Sequence, residues 1–249
     1  MIIGTEMTKT YGENEERSNA LNHVSITIGD GEFVAVMGPS GCGKSTLLFS
    51  LSGTDDINSG SIKLNNDELS TLKENDLADL RRQKMGFVFQ QPTMLKNLNL
   101  IDNIVLPSLQ GRAKDVDTIA GRARGLMKQT EIEDLAKRDI TEVSGGQLQR
   151  AGICRALINS PEILFADEPT GALNSKAADE IMELLSEVNK KGTAIMLVTH
   201  DARVAARAKR ILFMKDGQII HQMEMAKHSD MDIQEKKDLI SRQMCEMEI

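Results

Sequence analysis

The chain has 249 residues, enough to bury the core of one large domain or two small ones, with a formal charge of −7 and a pI near 5.3. That acidity argues against the basic footprint of a nucleic-acid binder, and no apolar run reaches the roughly 18 residues a membrane span needs, so neither nucleic acid nor direct membrane insertion is expected. Cys42, Cys154 and Cys245 are widely spaced, form no CxxC pair and meet no histidine cluster, which argues against zinc and fits a reducing compartment.

Residues 1–10 alternate apolar and polar as a strand does, unlike a charged-then-apolar leader, so the chain is expected in the cytoplasm. Residues 24–28 and 32–37 read as strands around Gly29, Asp30 and Gly31, a hairpin signal, and residues 61–64 form a further short strand. After the apolar strand at 32–37 comes Gly38-Pro39-Ser40-Gly41-Cys42-Gly43-Lys44-Ser45, which fits G-x-x-x-x-G-K-[ST], and a helix begins near Ser45. The glycines let backbone N–H groups turn inward on phosphates at the positive end of the helix dipole. Lys44 would neutralise the β- and γ-phosphates, and the Ser45 hydroxyl would coordinate magnesium. By composition alone such a match arises in about one chain in a hundred, and requiring the flanking strand and helix makes chance rarer still. Alone it says nucleotide, not which one. A thiol at Cys42 beside these dipoles and Lys44 is expected to have thiolate character.

From Glu74 to about Ala156 the pattern is mostly helical, interrupted by a strand at 86–89; Val116, Ile119, Ala120, Ala123, Leu126 and Met127 share one stripe. Ser144-Gly145-Gly146 precedes a helix expected over about 147–157, a second helix start offering backbone N–H groups. By itself this tripeptide reads as a serine N-cap. Beside the first cradle it leaves two alternatives: two separate anion sites, or one nucleotide held between two copies of the chain.

After Pro161 the texture becomes strand, helix, strand, as in a parallel sheet with crossover helices. Residues 163–166 and 194–199 are uninterrupted apolar runs, and Ala177, Ile181, Leu184, Leu185 and Val188 form the helical stripe between them. Asp167 and Glu168 directly follow the first run, at a carboxyl strand end where ligands of open parallel sheets gather. Asp167 is suited to hold the metal and Glu168 to act as general base, a role contributing about 10²–10⁴ in rate. Gln90 and His200 end two other strands. Residues 210–215 and 218–222 flank Asp216-Gly217, a hairpin turn, and residues 223–249 form a charged, methionine-rich tail, helical or disordered.

These motifs, in this order over residues 1–222, resemble the ATPase subunit of ABC transporters. The resemblance implies an α/β P-loop NTPase fold with a RecA-like core, an antiparallel β-subdomain and a helical lobe at about 91–160. It makes residues 38–45 the Walker A loop, with Thr46 beside them, Gln90 the Q-loop residue, Ser144, Gly145, Gly146 and Gln147 the signature, Asp167 and Glu168 the end of Walker B, and His200 the switch histidine. It implies Ser45, Gln90 and Asp167 as magnesium ligands, Glu168, His200 and Lys44 as catalytic residues, and Tyr11 as the aromatic that stacks on adenine, contributing about 1–3 kcal/mol. It further implies a head-to-tail dimer closing on two ATP molecules and powering a membrane permease, with the chain peripheral on the inner face of the plasma membrane. Met94, Leu95, Leu98 and Leu100 resemble the groove that receives the permease, or are core. Residues 69–82, 86–90, 103–107 and 169–173 are similar to the lipoprotein-release, macrolide-export and antimicrobial-peptide-resistance group, whose substrates are lipoproteins, macrolides or such peptides. Three residues depart from the family pattern: Cys42 for serine, Val143 for leucine and Asn174 for aspartate. A GTPase reading fails because Asn189-Lys190-Lys191-Gly192 has glycine where an N-K-x-D guanine reader has aspartate. A soluble DNA or translation ATPase of the same superfamily would carry two halves, long coiled coils or zinc sites.

Overall fold

The computed structural model, which describes residues 1–12, 18–109, 115–228 and 230–249, resolves into two units: Met1–Ala78 with Ala194–Ile249, and Asp79–Thr193. In the first, β1 (Ile2–Tyr11) runs antiparallel between β2 (Ser18–Ile28) and β4 (Ser59–Leu64), and β5 (Asp67–Glu68) extends the edge beyond β4. Ile2, Met7, Leu21, Val24, Ile62 and Leu64 supply its buried side chains. The period-two alternation breaks where Glu6 and His23 are left-handed, at φ 48° and 51°, beside a register shift between Gly4 and Met7.

A second sheet of this unit centres on β3 (Phe33–Met37), all five residues of which are buried. It lies parallel to β8 (Ala194–Val198) on one side and β9 (Arg210–Lys215) on the other, and β10 (Gln218–Glu224) pairs antiparallel with β9. Strands covered on both faces have no use for polar alternation, hence the continuous apolar runs. The turn between β9 and β10 has Asp216 and Gly217 at φ 50° and 75°, the paired left-handed residues of a type I′ hairpin.

The hairpin expected at Gly29-Asp30-Gly31 is not one. A local turn exists, with Glu32 N–H donating to Gly29 O, but β2 pairs with β1 while β3 joins the parallel sheet. Glu32 is drawn instead into an ion pair with Arg210 of β9 (2.8 Å), and its carboxylate accepts from Gly29 N–H (2.7 Å). Helices α1 (Lys44–Leu51) and α7 (Ala202–Ala205) belong to this unit, as does α8 (Ile233–Glu246), which begins on an Asp232/Glu235 capping box and packs on α7. Lys215 at the end of β9 donates to the Met247 and Glu248 carbonyls at the far end of α8 (3.3 and 3.4 Å).

Helix α2 (Glu74–Lys84) runs from the first unit into the second. There β6 (Met85–Phe89) and β7 (Ile163–Asp167) pair in parallel, in register from Met85↔Ile163 to Phe89↔Asp167. Helices α3 (Leu100–Val105), α4 (Val116–Gln129) and α5 (Gly145–Leu157) enclose a core built on Leu100, Ile104, Ala123, Met127, Ala151 and Cys154; α6 (Ser175–Lys190) follows β7. Of the stripe read on α4, Ile119, Ala123 and Met127 are buried, whereas Val116 in the first turn is 48% exposed, beyond the reach of that core.

Candidate functional site

In the first unit the loop from Gly38 to Gly43 joins buried β3 to α1, whose first residue is Lys44. Gly43 is the N-cap at φ 103°, and a Cβ there would lie 2.1 Å from the Ala20 carbonyl, so only glycine allows this entry into the helix. The Lys44 ammonium folds back over the loop and donates to the Gly38 and Pro39 carbonyls (2.9 and 2.8 Å). Pro39, Ser40 and Gly41 form the exposed rim, while Ser45 and Thr46 stand half-buried in the first turn of α1. The β9–β10 turn supports the loop from behind, with Gly217 N–H donating to the Cys42 carbonyl (3.0 Å).

The Cys42 thiol does not have the acidity expected of it. It is 5% exposed, and burial pushes it up; Lys44, whose Nζ lies 4.0 Å from Sγ, opposes that effect without reversing it. Cys42 is therefore a protonated packing group under the loop.

Tyr11 is 45% exposed, with its hydroxyl donating to Asp55 and meeting the Thr46 side chain. The phenol is held protonated, its pKa raised by burial and by that donated bond. Lys9 completes the group: its Nζ lies 2.6 Å from Asp55 Oδ1 and 5.0 Å from the centre of the Tyr11 ring. Burial alone would raise the Asp55 pKa, but the bonds from Lys9 and Tyr11 hold it below the usual carboxylate range. Tyr11 thus presents an anchored, open ring face next to α1. His200 is exposed two residues past the end of β8, where Thr199 N–H donates to Val36 O, so it stands at the carboxyl edge from which the loop leaves β3.

In the second unit the register Phe89↔Asp167 brings Gln90 and Glu168 to neighbouring carboxyl strand ends. Glu168 is left-handed at φ 47°, an unfavourable backbone for a residue with a long side chain. Its carbonyl accepts from Gly171 N–H (3.0 Å), which turns the chain back towards Gln90. A Cβ on Gly171 would lie 2.8 Å from Gln90 Nε2, so glycine lets this segment lie against the glutamine amide.

Ser144 caps α5 and forms a capping box with Gln147: Ser144 Oγ accepts from Gln147 N–H (3.3 Å) and Gln147 Oε1 accepts from Ser144 N–H (2.9 Å). Ser144 and Gly145 are exposed, and Gly146 half-buried, on the wall of a cleft of about 410 Å³ that also includes Leu173, Asn174 and Arg150. Asn174 caps α6, its Oδ1 accepting from Ala177 N–H (3.0 Å), so the cap an aspartate would make is kept while its charge is lost. Val143 packs on the helical core. Arg150 ties the cleft together by donating to Thr130 O and to Glu180 of α6, both at 2.8 Å.

The structure thus gathers Tyr11, residues 38–46 and His200 within the first unit, and Gln90, Asp167, Glu168 and residues 144–147 within the second. Sequence reasoning missed two buried polar residues that hold these segments. Gln149 is 1% exposed and bonds to carbonyls on either side of the β6–β7 strand ends; Asn103, also 1% exposed, fastens the segment after Gln90. A polar residue inside an otherwise apolar helical face was the available signal for both.

The Met94, Leu95, Leu98 and Leu100 stretch divides. Met94 and Leu100 are core, whereas Leu95 is 48% exposed and Leu98 half-buried. Asn103 makes the difference: Oδ1 accepts from Leu95 N–H (2.7 Å), and Nδ2 lies within 3.1 Å of the Leu95, Leu98 and Asn99 carbonyls.

A family model described as "ABC transporter" matches residues 21–171. The chain is 41% identical over 215 residues to a macrolide export ATP-binding/permease protein MacB of Mannheimia succiniciproducens, and 40% identical to that of Aggregatibacter actinomycetemcomitans; each match covers 86% of this chain and 33% of the relative. The chain thus spans a third of the length of these curated relatives. Among solved structures, a dimeric post-hydrolysis state of the ATP-binding cassette MJ0796 bound to ADP and Pi superposes with a TM-score of 0.84 at 38% identity, covering 90% of this chain and 99% of that one. The cbiO1 subunit of the cbiONQ transporter complex from Clostridium perfringens superposes with a TM-score of 0.82 at 28% identity, covering 100% and 98%.

Proposed function

The chain belongs to the ABC transporter family, and from that premise we propose that it binds ATP with magnesium, hydrolyses it to ADP and phosphate, and powers a membrane permease. One observation carries the reading: the Gly38–Gly43 loop links a fully buried strand to a helix that starts at Lys44, with the ammonium lying across the loop where phosphate oxygens would replace the Gly38 and Pro39 carbonyls. Backbone N–H groups of this loop and the α1 dipole bind the phosphates, and Thr46 adds a hydroxyl next to them. Tyr11, held by Asp55, stacks on the adenine.

Ser45, Gln90 and Asp167 offer a hydroxyl, an amide oxygen and a carboxylate, an all-oxygen set that suits magnesium. Bound there, the ion would neutralise charge on the β- and γ-phosphates. Glu168 accepts the proton of the attacking water, and His200 donates a hydrogen bond to the γ-phosphate. The Ser144, Gly145, Gly146 and Gln147 helix start closes over the nucleotide of a second copy, head to tail, so the two phosphate-binding ends of one chain serve two shared nucleotides.

The permease docks on the Asn103-clamped segment through Leu95 and Leu98. Among the described residues no helix is long and apolar enough to cross a membrane. Similarity to the MacB macrolide export proteins favours a macrolide substrate, with an antimicrobial peptide or lipoprotein-like substrate as the alternatives offered by the sequence resemblance. The test is Glu168→Gln: steady-state hydrolysis should fall by about 10²–10⁴ while ATP binding persists and a dimer accumulates on gel filtration. Normal turnover by this variant removes the base assignment.

A further inference from the structure

Gln149 sits two residues beyond Gln147 on α5, is 1% exposed, and has no role in phosphate binding as described above. Its side-chain amide donates twice, to Phe89 O (2.9 Å) and to Pro169 O (2.8 Å). Phe89 is the last residue of β6, directly before Gln90, and Pro169 directly follows Glu168. One buried NH₂ group therefore spans the two chain segments that carry the magnesium-side glutamine and the general base. The two carbonyls come from strand ends that already stand in register, so the amide fixes their separation beyond the point where the β6–β7 ladder stops.

We propose that Gln149 is a positioning residue for hydrolysis: it couples the placement of α5, whose N-terminus carries Ser144 to Gln147, to the relative placement of Gln90 and Glu168. The inference rests on the roles given above to Glu168 and Gln90. A buried primary amide is suited to this work because both of its hydrogens are satisfied by main-chain carbonyls, which hold their direction better than side chains do. The left-handed backbone at Glu168 needs such support, because a strained conformation persists only where its neighbours over-determine it. A shift of α5 as a second copy closes over Ser144 would move both carbonyls together, linking closure to the geometry of the water-activating carboxylate.

Two variants of the full chain test this. Gln149→Met keeps length and apolar contact but removes both donors. With Mg-ATP, kcat should fall about 10- to 100-fold, the cost of a base displaced by about an ångström, while KM for ATP barely moves because the cradle is untouched. A role confined to fold stability would lower the melting temperature and leave kcat of the folded enzyme unchanged, and that result overturns the proposal.

Gln149→Glu covers the case in which the methionine variant does not fold. Its carboxyl can donate to one carbonyl only while protonated, so the pH–kcat profile should gain an acid-side maximum and fall as the group ionises against two carbonyl oxygens. A profile superimposable on the wild type overturns the proposal. Glu168→Gln is assayed in parallel: if it is inactive while both Gln149 variants behave as wild type, only the positioning role fails. If it is active, the base assignment fails instead.

Discussion

Replacing Asn103 with alanine isolates the clamp that holds Leu95 and Leu98 outward. Four contacts are lost, but two of the main-chain groups involved keep another partner: Leu95 O still accepts from Leu98 N–H (3.2 Å), and Asn99 O from Asn103 N–H (3.1 Å). The uncompensated losses are the bonds to Leu95 N–H and Leu98 O, each contributing about 0.5–1.5 kcal/mol net, or about 1–3 kcal/mol together. Alanine returns about 0.5 kcal/mol through its better helix propensity inside α3, leaving a destabilisation of about 0.5–2.5 kcal/mol. Because Leu95 is exposed, the freed N–H finds water, and the cost appears as local opening more than as global unfolding. Amide hydrogen exchange reads this directly. The Leu95 amide should lose protection in Asn103→Ala while amides of β6 and β7 keep theirs, and permease-stimulated hydrolysis should fall while hydrolysis by the isolated chain remains. A Leu95 amide as well protected in the variant as in the wild type refutes the clamp.

Lys44→Ala removes a charge-assisted phosphate contact contributing about 1.5–3 kcal/mol, so calorimetry should show ATP affinity weakened about 10- to 100-fold; unchanged affinity counts against the cradle. Cys154 supplies a pH prediction. It is wholly buried, and desolvation pushes its thiol up to about 11 from 9.0 in spite of its contact with Thr130 Oγ1 (3.2 Å). Below pH 9 the thiol is protonated in both folded and unfolded chains and stability is unaffected. Between pH 9 and 11 only the unfolded chain ionises, and stability falls, by about 2–3 kcal/mol at the top of that window. Urea titrations at pH 8 and pH 10.5 should show a steeper alkaline loss for wild type than for Cys154→Ala; equal losses refute it.

The elements most legible in the sequence were those whose pattern follows from local rules. The apolar runs at 163–166 and 194–199 became strands buried on both faces, and Asp216-Gly217 became a type I′ turn because two left-handed residues are what that dipeptide supplies. The Gly38 to Ser45 spacing placed the loop between strand and helix for the same reason. What escaped the reading was decided at long range. Gly29-Asp30-Gly31 looks like a hairpin because turn residues specify a change of direction and not the partner strand, and here the partner of Glu32 lies 178 residues away at Arg210. Its neighbours in sequence point the Cys42 thiol towards acidity, whereas burial beneath the loop pushes its pKa up. Gln149 and Asn103 stand out in sequence only as polar residues in apolar helical surroundings; what they hold is not legible there, because their partners are main-chain carbonyls and N–H groups.

Glu168 occupies a backbone conformation that glycine or asparagine would adopt more readily, and the positive φ there costs of the order of 1 kcal/mol. Selection for stability alone would therefore drift away from glutamate at this position. As the general base proposed above, glutamate accepts that cost in exchange for chemistry, and an inactive chain with a small residue there would be the sturdier molecule. In this chain, hardiness on heating would thus be a poor guide to competence in turnover.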